Sequence, residues 1–392
     1  MSSEIQIYSV QPEGNLISRQ PTRTAVPYSS VDIVTFLTKR LPYSLPILRR
    51  LQLWPRHEGT LFITTRLPLD GPIEGTDNPQ RATADSLWTM AVVDRSGYPS
   101  TEIWPLSSLE LYHGSAPHEK GPQQPDVGPR SLVLPFSDDV RERAASQLMA
   151  VISQVPITNR AASGPLSNLY QNPESAGSAY CLAGNVHTTI AALLAREDGV
   201  ILRGSPPYGK YIFGVSAAEG APGLTAPDGC SDGLPRGLVW SSIGPDDYAD
   251  VRAANKIVRS DATIAHLRSA AVREVAPRPG GRRGRAVAFA FASGDGSVRT
   301  LHVDPEHRRQ GLATAVVQRL LRTGAFEPPE SGPLAATGEV TRQMEPTTLA
   351  FTSIEGSNTG SIRTFKAVGG KWYWDVYWLW LDLDRVVERA RQ

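Results

Sequence analysis

Two cysteines, Cys181 and Cys230, are all the thiol chemistry that 392 residues offer. They stand far apart and without C-x-x-C spacing, so neither a disulfide framework nor a cysteine zinc site is expected, and a reducing compartment is the simpler setting. An excess of charge is missing too: 40 basic side chains meet 39 acidic ones. No global field draws this chain to a polyanion, which sets nucleic acid aside as a partner. No apolar run approaches the roughly 18 residues that a membrane span requires. The start, MSSEIQIYSVQPEGN, lacks the basic and then apolar pattern of a secretory signal, so a cytoplasmic protein without membrane contact is the expectation. H-E-x-x-H, G-x-S-x-G and a lysine-bearing phosphate loop are absent, which argues against metalloprotease, α/β-hydrolase and P-loop chemistry and leaves no metal to expect.

What is present is ordinary globular material, 40% hydrophobic and 20% charged, on a chain long enough for two domains. Residues 1–28 are polar and read as an arm laid on the surface or disordered. In 30–53, Ile33, Phe36, Leu37, Leu41, Leu45, Leu48 and Leu51 recur at helical steps, broken by Pro42 and Pro46, so two short helices are expected. Strands follow at 59–65, 87–93 and 101–106, the last two as a hairpin, and 131–136 also looks strand-like. Asp138 or Asp139 then caps a helix to about 155. After a break at 156–179 come a helix at 185–197 and a strand at 209–215.

Small, turn-forming and acidic residues fill 216–235, which we take as a linker between an N-terminal α/β domain, 29–215, and a C-terminal domain, 236–392. Beyond it the pattern predicts a strand at 238–243, helical segments over 245–259 and 260–275, and a basic loop at 277–285. Strands at 286–293 and 297–303 flank a turn at 294–296. A helix over 310–323, a loose insert to 346, a strand at 348–354, a helix at 359–368 and aromatic strands at 371–383 complete the chain.

The informative segment is 301–321, LHVDPEHRRQGLATAVVQRLL. A strand ends in proline, a short loop leads into an amphipathic helix, and Val303, Pro305, Arg308, Gly311 and Ala313 fit V-x-P-x-x-R-x-x-G-x-A. Such a loop aims backbone N–H groups and the positive end of a helix dipole at one point, which suits a pyrophosphate. This spacing resembles the acyl-CoA motif of the GNAT superfamily of N-acetyltransferases. A second stretch, Asn358, Ser361, Phe365, Gly369 and Gly370, resembles that superfamily's later N-x-x-A/S-x-x-x-Y/F-x-x-x-G-F pattern. The run 296–313, with L-P-Y-S-L-P at 41–46 upstream, is similar to the glycine N-acyltransferase-like and FR47-like branch.

The resemblance implies an α+β GNAT fold: a mixed twisted sheet flanked by helices, preceded by a second, degenerate GNAT-like α/β domain. It implies acetyl-CoA (coenzyme A) as co-substrate and a small-molecule amine as acceptor. The loop Arg308, Arg309, Gln310, Gly311, Leu312 and Ala313 would cradle the diphosphate. Leu301, His302 and Val303 would pair with the pantetheine amides, and Asn358, Ser361 and Phe365 would hold the other side. A plain helix cap is the other reading of Asn358.

Two departures bear on mechanism. Ser297 stands where relatives often place Glu or His, and Phe365 where many carry a tyrosine that protonates the leaving thiolate. Serine is no base near neutral pH. The catalytic candidates are therefore Asp295 on the preceding turn, His302 and Glu355, or a water chain anchored by Ser297, with direct attack of the amine on the thioester. A coenzyme-A-binding protein with a regulatory or assembly role is the alternative. Arg278, Arg282, Arg283 and Arg285 read as solvated surface or as partners of the 3′-phosphate. Strict alternation would put Trp372, Trp374, Trp378 and Trp380 on one face of their strand and Tyr373, Tyr377 and Leu379 on the other.

Overall fold

The structure is a computed structural model and describes residues 5–10, 16–18, 28–53, 60–69, 81–94, 101–112, 129–155, 180–202, 207–215, 233–255, 260–275, 284–327, 343 and 348–391. The first half opens with β1 (Gln6–Val10) and β2 (Leu16–Ser18), which pair with each other; β1 also pairs with β3 (Leu61–Thr64). Within the polar arm expected for 1–28, residues 6–10 and 16–18 are thus a strand pair. Tyr8 and Val10 drive this by burying themselves in the core.

Helices α1 (Ser30–Thr38) and α2 (Leu45–Leu53) are the two pieces that the prolines require. Ser29 caps α1 in a reciprocal box with Asp32. Strands β4 (Thr89–Asp94) and β5 (Thr101–Ser107) form the hairpin, and α3 (Asp138–Ile152) follows. Residues 131–136 form no strand; Leu134 and Phe136 are buried as loop anchors. The break at 156–179 lies outside the described residues.

Strand β6 (Tyr180–His187) takes the start of the expected 185–197 helix, which shrinks to α4 (Thr188–Leu194). Then come β7 (Val200–Leu202) and β8 (Tyr208–Gly214). The second half carries β9 (Leu238–Ser241), α5 (Tyr248–Ala253), α6 (Asp261–His266), β10 (Arg268–Glu274), β11 (Ala286–Ala292) and β12 (Val298–Val303). The helix expected to run to 275 is β10 in its second part: Ala270, Ala271 and Val272 are buried, so both faces are apolar and no alternation shows. Next are α7 (Leu312–Leu321), β13 (Leu349–Glu355), α8 (Thr359–Ala367), β14 (Lys371–Asp382) and α9 (Leu383–Arg391).

The strands β9 to β12 make a four-stranded antiparallel sheet. The other sheet runs β13-β8-β14-β6-β5-β4-β3-β1-β2, with β7 on β14. Strand β8 of the first half therefore lies between β13 and β14 of the second, hydrogen-bonded to both. The expected linker 216–235 falls between strands that share a sheet. Helices cover both faces, α3 and α4 over one core, α1 and α2 over another, and α7 and α8 over the second half. This is a mixed, helix-flanked α+β arrangement, as the resemblance implies.

Each half contains one parallel pair that parts. Strand β5 runs parallel to β6 only over Thr101–Ile103 against Cys181–Ala183. Strand β12 meets β13 only through a parallel bridge between Ser297 and Phe351. Strand β14 departs from strict alternation, with register shifts between Trp372 and Trp374 and between Tyr377 and Leu379. Trp374 and Trp378 pack beneath α1 and α2 while Trp372 joins the α7 and α8 core, so the four tryptophans do not share a face.

Candidate active site

The second-half cleft begins where the Phe351 amide donates to the Gly296 carbonyl at 3.1 Å. From there β12 and β13 diverge toward Val303 and Glu355, leaving facing backbone edges without ladder partners in each other. Within β12 a bulge sets Thr300 and Leu301 opposite Ala290, and Thr300 sits at φ 57°, costly for a β-branched residue. The bulge frees backbone groups from the β11 ladder beside the opening. Nothing in the sequence marks Thr300.

At the open end lies the anion cradle. Arg309 (φ 62°) and Gly311 (φ 77°) both take the left-handed conformation around Gln310, and Gly311 is the N-cap of α7. No side chain caps this helix. Its first intrahelical bond is Ala315 N to Gly311 O, 3.1 Å, so the amides of Leu312, Ala313 and Thr314 precede the ladder and are oriented outward. Alternating left-handed residues before a helix start form a nest for a phosphate oxygen. Arg308 donates from Nε to the Val303 carbonyl at 3.0 Å, bracing the loop against the strand end. Pro305 stands one residue past Asp304, where a helical turn starts.

Leu301 and Val303 pack toward the α7 core, while His302 turns to the other face. There its ring stacks on Phe289 at 5.2 Å and its Nε2 meets Asp304 Oδ1 at 3.0 Å. Arg285 holds the other Asp304 oxygen at 2.8 Å, so this member of the basic loop serves the motif loop; Arg278, Arg282 and Arg283 lie outside the described residues. Glu355 accepts from Ser357 Oγ at 3.0 Å at the open end of β13.

Ser297 is buried at the closed end. Its N–H and Oγ–H both donate to Asp295 Oδ1, at 3.1 and 2.6 Å, and Arg299 Nε donates to Ser297 Oγ at 2.7 Å. Arg299 also pairs with Asp295, which is fully buried and held well below the usual carboxylate range by Arg299, Arg50 and these hydrogen bonds. Its hydroxyl is thus committed to an ion pair.

Across the cleft Asn358 caps α8, its Oδ1 accepting from Ser361 N at 3.1 Å. Phe365 is 2% exposed and stacks on Phe213 at 5.6 Å in the core. A side chain at Gly370 would meet the Phe365 carbonyl at 2.6 Å, which explains glycine where the pattern has an aromatic.

The matching cleft of the first half is closed. Strands β5 and β6 part after Ile103 and Ala183, but the indoles of Trp104 and Trp378 stand over Gly184, 3.7 Å from where its Cβ would lie. His187, at the end of β6, accepts the Thr189 amide on Nδ1 and so fills the helix start itself. Between these walls, Tyr43, Trp104, Glu110, Asn185, Lys210 and Trp374 line a narrow cleft. Burial raises the Glu110 carboxyl to about 8 and lowers the Lys210 amine to about 7. The sequence reading passed over both. The signal for Lys210 was a lone charge inside the otherwise apolar strand YGKYIFG.

Residues 19–211 match the family model described as the acyl-CoA N-acyltransferase verG N-terminal domain. No curated protein matches the chain. Among solved structures, a Drosophila protein from a structural genomics programme aligns with TM-score 0.47 and 16% identity over 90% of this chain and 95% of its own. A tandem GNAT protein from the clavulanic acid biosynthesis pathway aligns at 0.41 and 12%, over 97% and 99%. A GCN5-related N-acetyltransferase from Sphaerobacter thermophilus aligns at 0.42 and 11%, over 97% and 96%. With the family match over residues 19–211 and the nested loop and parted strands of the second half, the chain is similar to the acyl-CoA N-acyltransferases.

Proposed function

We propose that this protein moves an acetyl group from acetyl-CoA to the amine of a small molecule, in a ternary complex and by direct attack. The observation that carries this is the second-half cleft: strands parted from a single bridge at Ser297 and Phe351, with the Arg309–Gly311 nest at the mouth. The diphosphate lies on the amides of Gly311, Leu312 and Ala313. The pantetheine arm enters between β12 and β13, pairing with backbone at Leu301 to Val303. Backbone N–H groups freed by the Thr300 bulge are the donors placed for the thioester carbonyl oxygen. The cofactor supplies the activated acyl group, and the protein orients it and excludes water.

In this reading residues 236–392 hold the chemistry. Residues 29–215 serve as a degenerate partner whose own cleft is filled, forming one wall of the acceptor site. The buried, ion-paired Ser297 and the core position of Phe365 favour a second reading, a coenzyme-A-binding protein without turnover. Calorimetric titration with acetyl-CoA tests the site. Release of thiol from acetyl-CoA in the presence of an amine panel separates the two readings: binding with no transfer to any amine supports the second, and absence of binding removes both.

A further inference from the structure

Lys210 comes from the first half but serves the edge of the second-half cleft. In the antiparallel ladder of β8 and β13 it lies directly opposite Ser353, and in that of β8 and β14 opposite Trp374. Counting up the parallel pair from the bridge at Ser297 and Phe351, Ser353 and Ile354 are level with Arg299 and Thr300, the site of the β12 bulge. Lys210 is therefore at the height where the thioester of a ligand threaded between the strands would rest, one strand behind β13.

Its side chain does not stay behind. The Nζ atom lies 4.0 Å from the centroid of the Phe351 ring and 5.8 Å from that of Trp374. Asp295, on the β11–β12 turn, is the strongest opposite charge it feels, ahead of Glu110. The amine thus lies over Phe351, the β13 residue whose backbone bridges Ser297 at the closed end of the cleft. It is 2% exposed and makes no hydrogen bond among the described residues. A buried ammonium with no acceptor is strongly disfavoured, so a group placed this way is poised as a neutral amine with a lone pair to offer.

We propose that Lys210 is the proton acceptor of the acyl transfer, delivered by the first half to a cleft whose own candidate position holds a serine. This rests on the acetyl-transfer reading of the second-half cleft. The acceptor nitrogen attacks the thioester carbonyl and forms the C–N bond. The proton it sheds passes to Lys210 Nζ, directly or through one water, giving the ammonium. The C–S bond then breaks and the thiolate leaves, taking a proton from solvent or back from Lys210.

Burial supports the assignment by holding the amine near about 7 in spite of two neighbouring carboxyls. The groups facing it are few. Glu110, after β5, has its own carboxyl raised by burial and accepts the Ser107 amide at 3.0 Å. Asp295 is spoken for by Arg299 and by Arg50 of α2, and Arg50 is shared in turn with Asp94 and Glu102. From β13 and β14 come the rings of Phe351 and Trp374 and the Ser353 hydroxyl, none of them charged. Asn185, beside Lys210 in the narrow cleft, accepts from Ser353 Oγ at 2.8 Å and ties this pocket to β13.

The test uses the intact chain, acetyl-CoA and hydroxylamine as probe nucleophile, with rates normalised to its neutral fraction, which falls toward pH 6. Thiol release is followed from pH 6 to 9, and acetyl-CoA affinity by calorimetry. Wild type is expected to rise through neutral pH. Lys210→Met and Lys210→Arg, each folded by circular dichroism, should bind acetyl-CoA within about twofold of wild type. Both should lose roughly a hundredfold in rate, within the range for a general base, together with the pH inflection. Rates and profiles unchanged in either variant overturn the proposal, as does acetyl-CoA that binds wild type but gives no enzyme-dependent release. If acetyl-CoA fails to bind wild type, the acetyl-transfer reading itself falls.

Discussion

Gly296 turns at φ 81° directly against Arg49 of α2, whose Cγ lies 2.7 Å from where a Cβ on that glycine would be. The β11–β12 turn of one half is thus pressed onto a buried helix of the other, one residue before the bridge that closes the cleft. Gly296→Ala is expected to combine left-handed strain with a clash and to destabilise the protein by about 2 kcal/mol or more. Denaturant midpoints measure this directly. A midpoint equal to wild type would show the interface to be loose.

Gly311 is the position where diphosphate affinity is most exposed to mutation. A glutamate there places negative charge against the ligand and forces a bulky residue to φ 77°. Acetyl-CoA affinity should fall at least about tenfold, since even a modest repulsion of about 1.4 kcal/mol suffices. Gly311→Ala, which adds strain without charge, should sit between the two, and calorimetry on folded variants orders all three.

Residues 236–392 expressed alone lack β8, which the full chain hydrogen-bonds to both β13 and β14. That fragment should aggregate or fail to melt cooperatively. A protein nicked within 216–232 should keep its halves together through gel filtration in native buffer. Halves that separate freely would contradict the shared sheet.

Ser297, His302 and Glu355 are now distinguishable by their surroundings. Ser297→Ala should cost less than tenfold in turnover, because its hydroxyl is bound to Asp295 and Arg299. Ser297→Glu, which would restore a residue that relatives often carry there, should lower the melting temperature sharply, since it sets a second carboxylate beside the fully buried Asp295. His302→Ala and Glu355→Gln, alone and together, should each retain turnover within about tenfold; a loss near a hundredfold from either marks a general base there instead.

Lys210 also leaves a mark on stability. Its amine titrates at about 7 in the folded chain against 10.5 ordinarily, so between those values the unfolded chain binds more protons and stability rises with pH. Below about 7 the full cost of the buried charge is present. Lys210→Met should therefore raise the melting temperature more at pH 6 than at pH 10, and a gain independent of pH would argue that the amine is solvated. Glu110 acts oppositely. Its carboxyl is raised to about 8, so stability falls as pH climbs from 4.5 through that value, and Glu110→Gln should remove this slope.

The motif loop was legible because its chemistry is local: Pro305, Gly311 and the apolar run of α7 determine strand end, nest and helix within one short stretch of chain. The helix pair around Pro42 and Pro46 was legible for the same reason. Strand β10 was not, because Ala270, Ala271 and Val272 are buried on both faces and erase the alternation that marks a strand. Strand β1 was too short and too far from its partner β3 to announce itself. Lys210 and Asp295 are brought together by the insertion of β8 beside β13, a pairing between residues remote in the chain that no local period encodes.

That insertion has a bearing on how the chain comes into being. Strand β8 leaves the ribosome with neither of its neighbours made, and they arrive only when Leu349–Glu355 and Lys371–Asp382 have been synthesised. The first half cannot finish folding while it waits, and β8 alone holds two open strand edges in the meantime. Such a protein trades quick domain-by-domain folding for a late, concerted closure dominated by distant contacts. Its yield in a cell should depend on translation rate and chaperone supply more than its final stability would suggest.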